Sequence, residues 1–245
     1  MFTKNQAKLI RALHEKKNRS DLGLFLVEGA KSVSELLKSD FEIEFLLITT
    51  EFFEKYGDQI RDRSKEYEMV KQDEIEKVGT LESNDSALAV VKQKVNTVSE
   101  IGKNEVVIAL DEIKDPGNLG TIIRIADWYG VKNIIASKTT ADFYNSKVIS
   151  ASMGSFTRIN IFYTDLSEFL SKTKLPILGA YLNGENIHAT TFPKSGILLM
   201  GNESKGVSAE MEKLVTQKIT IPSYGQAESL NVAIATAVIL DSWKR

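Results

Sequence analysis

The sequence contains no cysteine. Disulfides, zinc–thiolate sites and thiol nucleophiles are therefore excluded, and a reducing, cytoplasmic setting is the expectation. Histidine is nearly absent too: there are two, His14 and His188, and neither stands in a ligand spacing such as H-E-x-x-H. No metal site is expected. No G-x-S-x-G elbow is present, so a hydrolytic triad has no footing. No apolar run approaches the ~20 residues of a membrane span, and the opening "MFTKNQAKLI" lacks the apolar core of a secretory signal. The net charge of −2 carries no global signature of nucleic-acid binding.

Proline is scarce and unevenly placed. All four prolines, Pro116, Pro176, Pro193 and Pro222, lie in the second part of the 245 residues, which also holds most of the 15 glycines. The polar stretch "KQKVNTVSEIGKN", Lys92 to Asn104, reads as a linker between domains at 1–98 and 105–245. In the first part, helical and strand patterns take turns. "QAKLIRALHEK" and "AKSVSELLKS" have helical spacing, whereas "LGLFLVEG", "FEIEFLLIT", "EYEMV" and "SALAVVKQK" read as strands. In the second, "EVVIAL", "VKNIIAS", "TRINIFY", "LPILGAY" and "SGILLMG" are strand candidates between helices. The pattern predicts an α/β protein whose C-terminal domain is a mostly parallel sheet covered by helices on both faces. Ligands of such sheets bind in loops at the carboxyl ends of the strands.

One charge cluster departs from the even background. Lys4, Lys8, Arg11, Lys16, Lys17 and Arg19 face a single acid, Glu15. This basic arm is either a solvated helix face or a phosphate-binding surface.

Three loops carry chemistry. "DPGNLGTIIRIADWYG" lacks the third glycine of a dinucleotide fingerprint, and leaves N-x-G-x-x-x-R, formed by Asn118, Gly120 and Arg124, running into a helix. Arg124 lies among Ile122, Ile123, Ile125 and Ala126, where a charge requires a partner. A structural salt bridge is the plain alternative to a functional role. "LLMGNESKGVS" resembles a phosphate loop only superficially, because Lys205 precedes Gly206 and Val207 follows it. Gly201 there permits close approach to the backbone, and Glu203 either serves a site or caps the next helix. "IPSYGQAESLNVAIATAVIL" ends in a helix that is apolar all round, which suggests burial. Its polar start holds Ser229, a candidate N-cap, and Asn231, whose amide both donates and accepts.

Together and in this order, "DPGNLGTIIRIA", "LLMGNESKG" and "IPSYGQAESLNVAIA" resemble the SpoU/TrmH group of RNA ribose methyltransferases within the SPOUT superfamily. Residues 105–245 carry the resemblance, with Ser223 standing where many members have methionine. The "LFLVEGAKSVSELL" region more weakly resembles the small ribosomal-protein-like α/β domain with which some members grip RNA.

The resemblance implies a trefoil knot, a homodimer, and S-adenosylmethionine lined by Gly201, Ile221 and Leu230. It places Arg124 at the ribose 2′-hydroxyl. A guanidinium stays protonated, so holding the RNA phosphate and orienting the hydroxyl suits it better than full deprotonation. Asn118 and Glu203 would fix Arg124 or the ribose; Ser229 and Asn231 would hold the nucleotide and the loop. An RNA substrate, ribosomal rather than transfer RNA, would also occupy the basic arm through its phosphates. The alternative is a catalytically silent RNA-binding protein of the same fold.

Overall fold

The computed structural model describes residues 2–98, 101–102 and 104–245. The expected linker falls partly outside the described residues, at 99, 100 and 103. The chain forms two compact units: Met1–Val95 with Asp142–Thr157, and Asn96–Ala141 with Arg158–Arg245.

The first unit opens with α1 (Lys4–Ala12) and α2 (Lys16–Leu22). Thr3 caps α1 in a reciprocal box with Gln6. The apolar spacing predicts one helix through Lys16, but it stops at Ala12. Asn18 donates to the Ala12 carbonyl at 2.9 Å, and Arg19 donates to those of Leu13 and His14 at 2.9 and 2.8 Å. These side chains satisfy the carbonyls a helix end leaves orphaned, so the chain turns. Next come β1 (Leu24–Glu28), α3 (Ala30–Leu36), β2 (Ile43–Ile48), α4 (Thr50–Arg63), β3 (Tyr67–Met69), α5 (Gln72–Glu76) and β4 (Ala87–Lys92). The sheet order is β1-β4-β2-β3. Strands β1 and β2 run antiparallel to β4, and β3 runs parallel to β2. Ile10 and Leu13 pack with Leu26, Leu47, Leu88 and Val90 in its core.

The second unit holds β5 (Val106–Leu110), α6 (Pro116–Trp128) and β6 (Asn133–Ser137). The chain then leaves it for α7 (Ser146–Ala151), which belongs to the first unit. It returns for β7 (Asn160–Thr164), α8 (Leu166–Lys172), β8 (Ile177–Asn186), β9 (Gly196–Met200), α9 (Ala209–Glu212), β10 (Gln217–Thr220) and α10 (Val232–Lys244). The six strands lie in the order β10-β8-β9-β5-β6-β7, with every pairing parallel. Alternation divides the strands between two faces. Val107, Ala109, Ile197 and Leu199 meet Leu166, Leu170 and Met211 from α8 and α9. Helices α6 and α10 pack against each other. From β5 the chain proceeds through β6 and β7 to one side, and β9 lies on the other. The β5–β9 junction is thus a topological switch point, where open parallel sheets bind ligands.

The excursion through 142–157 has a clear anchor in the first unit. Phe25 lies 4.6 Å from Tyr144 and 6.2 Å from Phe156, ring centre to ring centre. Burial pushes the Tyr144 phenol up to about 12. Asp142 accepts from the Arg19 guanidinium at 2.7 Å. A boundary drawn on composition alone assigns this segment to the C-terminal half, because the aromatic contacts that hold it are distant in sequence.

Candidate active site

The three motif loops converge on one cavity of about 1000 Å³ within the second unit, at the carboxyl ends of its central strands. Gly201, Ile221 and Leu230 line it, as do Asn118, Glu203, Ser229 and Asn231.

Helix α6 starts earlier than the glycines suggest. Asp115 caps it, accepting from the Asn118 backbone at 2.8 Å, and Pro116 occupies the first turn. Asn118 and Gly120 therefore sit on rigid helix, not on a loop. Asn118 is the middle of a relay across the three motifs. Its Nδ2 donates to Glu203 Oε1 at 3.1 Å, and its Oδ1 accepts from Asn231 Nδ2 at 2.9 Å.

Glu203 does not cap the helix that follows it. Ser208 does that, accepting from the Met211 backbone. The Glu203 carboxylate instead accepts from the backbone N–H groups of Asp115 and Lys114, at 3.2 and 3.4 Å. Burial opposes its charge, yet the Asn118 amide and the backbone groups of Glu203, Asp115 and Lys114 outweigh it. They hold the carboxyl below its ordinary value. A fixed anion therefore stands beside the mouth of α6.

Gly201 has a different role from the one its flexibility suggests. A Cβ there would lie 2.1 Å from the Val207 nitrogen and 2.2 Å from the Gly206 carbonyl carbon. The close approach is by the loop's own backbone, which bridges Asn202 to Gly206. Asn202 completes the turn, accepting from the N–H groups of Ser204 and Lys205 and donating to the Glu112 carbonyl at 2.8 Å. Glu112 itself is in the left-handed region, at φ 59°, a strain that clusters at functional sites.

Asn231, not Ser229, is the N-cap of α10, accepting from Ala233 and Ile234. Ser229 is exposed on the cavity wall. Nor is α10 buried on every side. Val232, Thr236, Ile239 and Trp243 face inward, but Ile234 is 54% exposed. Trp128, on α6, is 84% exposed.

Arg124 corrects another expectation. Ile122, Ile123 and Ala126 turn inward, while Arg124 points outward and is exposed. At about 100° per residue the helix separates neighbours in sequence onto different faces. Arg124 makes no ion pair among the described residues, so the structural salt bridge is absent there. It does not line the cavity.

The basic arm divides. Lys4, Lys8, Arg11, Lys16 and Lys17 are exposed. Arg19 is 3% exposed and bound to Asp142 and two carbonyls, which removes it from the candidate phosphate contacts. Two residues of the cavity region were missed in the sequence. The Tyr181 hydroxyl on the cavity wall is buried with no partner among the described residues. Burial, with Glu212 and Asp111 nearby, pushes it up to about 12. Asn202 was legible only as a side chain placed to accept from backbone two and three residues on.

The cavity suits a nucleoside-sized ligand. Its volume lies at the upper end of ligand pockets, Ile219, Ile221 and Leu230 give it apolar wall, and the Gly201, Ile221 and Leu230 amides donate to nothing among the described residues. The family model described as "SpoU rRNA Methylase family" matches residues 105–241. The chain belongs to this family. The model of the MRM3-like substrate binding domain matches residues 4–89. Among curated relatives, the 23S rRNA (guanosine(2553)-2′-O)-methyltransferase RlmP of Bacillus subtilis is 32% identical over 94% of this chain and 92% of its own length. A TrmH-family protein from Porphyromonas gingivalis superposes with TM-score 0.86, at 30% identity over 99% of this chain and 98% of that one. The AdoMet-bound rRNA methyltransferase from Sinorhizobium meliloti superposes with TM-score 0.87, at 29% identity over 100% and 95%.

Proposed function

We propose that this protein transfers a methyl group from S-adenosylmethionine to a ribose 2′-hydroxyl of ribosomal RNA. The observation that carries the reading is the Glu203–Asn118–Asn231 relay, which ties the three motif loops around one cavity. Family membership supplies the reaction class, and the relatives named for ribosomal RNA favour that substrate over transfer RNA.

When bound, S-adenosylmethionine would supply an electrophilic sulfonium methyl to the ribose 2′-oxygen, the carbon–sulfur bond breaking to release the neutral thioether and the hydroxyl proton passing to water. Gly201, Ile221 and Leu230 hold the donor through backbone amides. Asn118 and Glu203 fix the start of α6, and Asn231 fixes the loop to it. Ser229 meets the nucleotide. Arg124, outside the cavity lining and free of any ion pair among the described residues, takes the RNA phosphate and through it orients the hydroxyl. Positioning of this kind is worth much of the barrier to a displacement that needs no covalent intermediate.

Exposed Trp128 on α6 and Ile234 on α10 support a homodimer through these two helices, since large apolar side chains left in water are candidates for burial in an interface. The parallel crossovers of the second unit suit the knotted path the resemblance implies. We place the protein in the cytoplasm, with its RNA; no helix among the described residues is long and apolar enough to cross a membrane.

The test is transfer of labelled methyl to unmodified ribosomal RNA, followed by mapping of the ribose. Arg124→Ala should lower transfer by at least tenfold while leaving S-adenosylmethionine affinity unchanged. Equal transfer by wild type and Arg124→Ala would overturn the assignment of Arg124. RNA binding without transfer by the wild type would leave the silent RNA-binding protein as the reading.

A further inference from the structure

Tyr224 is 91% exposed, more than Trp128 at 84% or Val95 at 81%. It makes no hydrogen bond, ring stack or cation contact there. A single exposed tyrosine on a remote surface needs no explanation. This one lies on the wall of the methyl-transfer cavity, in a loop without regular structure, between the candidate cofactor contacts Ile221 and Leu230. Its neighbours on that wall, Ser223, Glu228 and Ser229, are small or polar, so Tyr224 is the one aromatic face the loop presents.

The chemistry of the substrate supplies a use for such a face. For a ribose 2′-hydroxyl to reach a methyl donor inside a cavity, its nucleotide must leave the stacked helix, and the exposed base must be received elsewhere. Proteins receive unstacked bases on aromatic rings, which accept any base because each has a π-face. Lys205 on the facing loop lines the same cavity, exposed and without an ion pair among the described residues, and is available to an adjoining phosphate.

We propose that Tyr224 is a stacking platform for the unstacked nucleobase at or beside the methylated ribose, and so a positioning residue for RNA that is separate from the hold on the methyl donor. This deepens the methyltransferase reading and rests on it.

The test compares wild type with Tyr224→Phe, Tyr224→Leu and Tyr224→Ala, using an unmodified ribosomal RNA transcript and labelled S-adenosylmethionine. Filter retention of the same transcript is measured alongside. Stacking predicts that Tyr224→Phe stays within twofold of wild type. Tyr224→Ala should raise the KM for RNA by about 5- to 150-fold, with Tyr224→Leu in between, and leave the KM for S-adenosylmethionine and the oligomeric state unchanged. Four results would overturn it: an unchanged RNA KM in Tyr224→Ala, a raised S-adenosylmethionine KM instead, failure of Tyr224→Phe to substitute, or conversion of Tyr224→Ala to a monomer. If wild type binds the transcript without methylating it, the methyltransferase reading fails, and retention by Tyr224→Ala still decides the platform.

Discussion

Removing Asp142 leaves a buried guanidinium without its counter-charge. Arg19 donates Nε and Nη2 to Asp142 Oδ2 at 3.1 and 2.7 Å, and their side chains are 4% and 18% exposed. Breaking such a pair from one side costs about 3–5 kcal/mol, because the remaining charge cannot return to water. For a chain of this size that is a fall in Tm of roughly 6–20 °C. Asp142→Ala should show this in thermal and urea unfolding. The double variant Arg19→Met, Asp142→Leu removes both charges and should recover much of the loss, short of full recovery because the Leu13 and His14 carbonyls lose a donor. The same variant separates structure from RNA binding. Its affinity for RNA should keep the wild-type salt slope, whereas neutralising Lys4, Lys8, Arg11, Lys16 and Lys17 together should flatten that slope by up to about 4. A loss below about 1 kcal/mol in Asp142→Ala would refute the buried pair. A flattened slope in the double variant would restore Arg19 to the RNA-binding surface.

Three further outcomes are expected. Glu203 is held below its usual range, so the stability it contributes is present above the unfolded carboxyl value, roughly 4.3, and is lost as pH falls through the lower folded one. S-adenosylmethionine affinity should therefore be flat from about pH 5 to 8 as far as Glu203 is concerned; in Glu203→Gln, where an amide donor faces the N–H groups of Asp115 or Lys114, it should fall roughly tenfold by calorimetry. Gly201→Ala should weaken S-adenosylmethionine binding and lower stability by about 1–3 kcal/mol, since its methyl would overlap the Gly206–Val207 backbone; unchanged binding would show that the loop closes differently. Trp128→Glu with Ile234→Glu should yield a monomer in sedimentation, and a persistent dimer would place the interface elsewhere.

The sequence by itself determined every strand except β10 (Gln217–Thr220), which carries no predicted strand pattern, the absence of cysteine chemistry, and which polar residues attend the three loops. Those features depend on residue type and short spacing, and the loops that hold Asn118, Glu203 and Asn231 announce themselves locally. Only the tertiary structure decided what these residues do to one another. Asn231 and Asn118 lie 113 positions apart, and Asn118 and Glu203 lie 85 apart. They meet because the strand order brings β5, β9 and β10 to one end of a sheet, and a hydrogen bond across such a span leaves no trace in local pattern. The same reason governs the errors. Arg124 read as lying within an apolar stripe until the helix turned it outward, and Arg19 read as one more surface charge until Asp142, 123 positions away, closed over it.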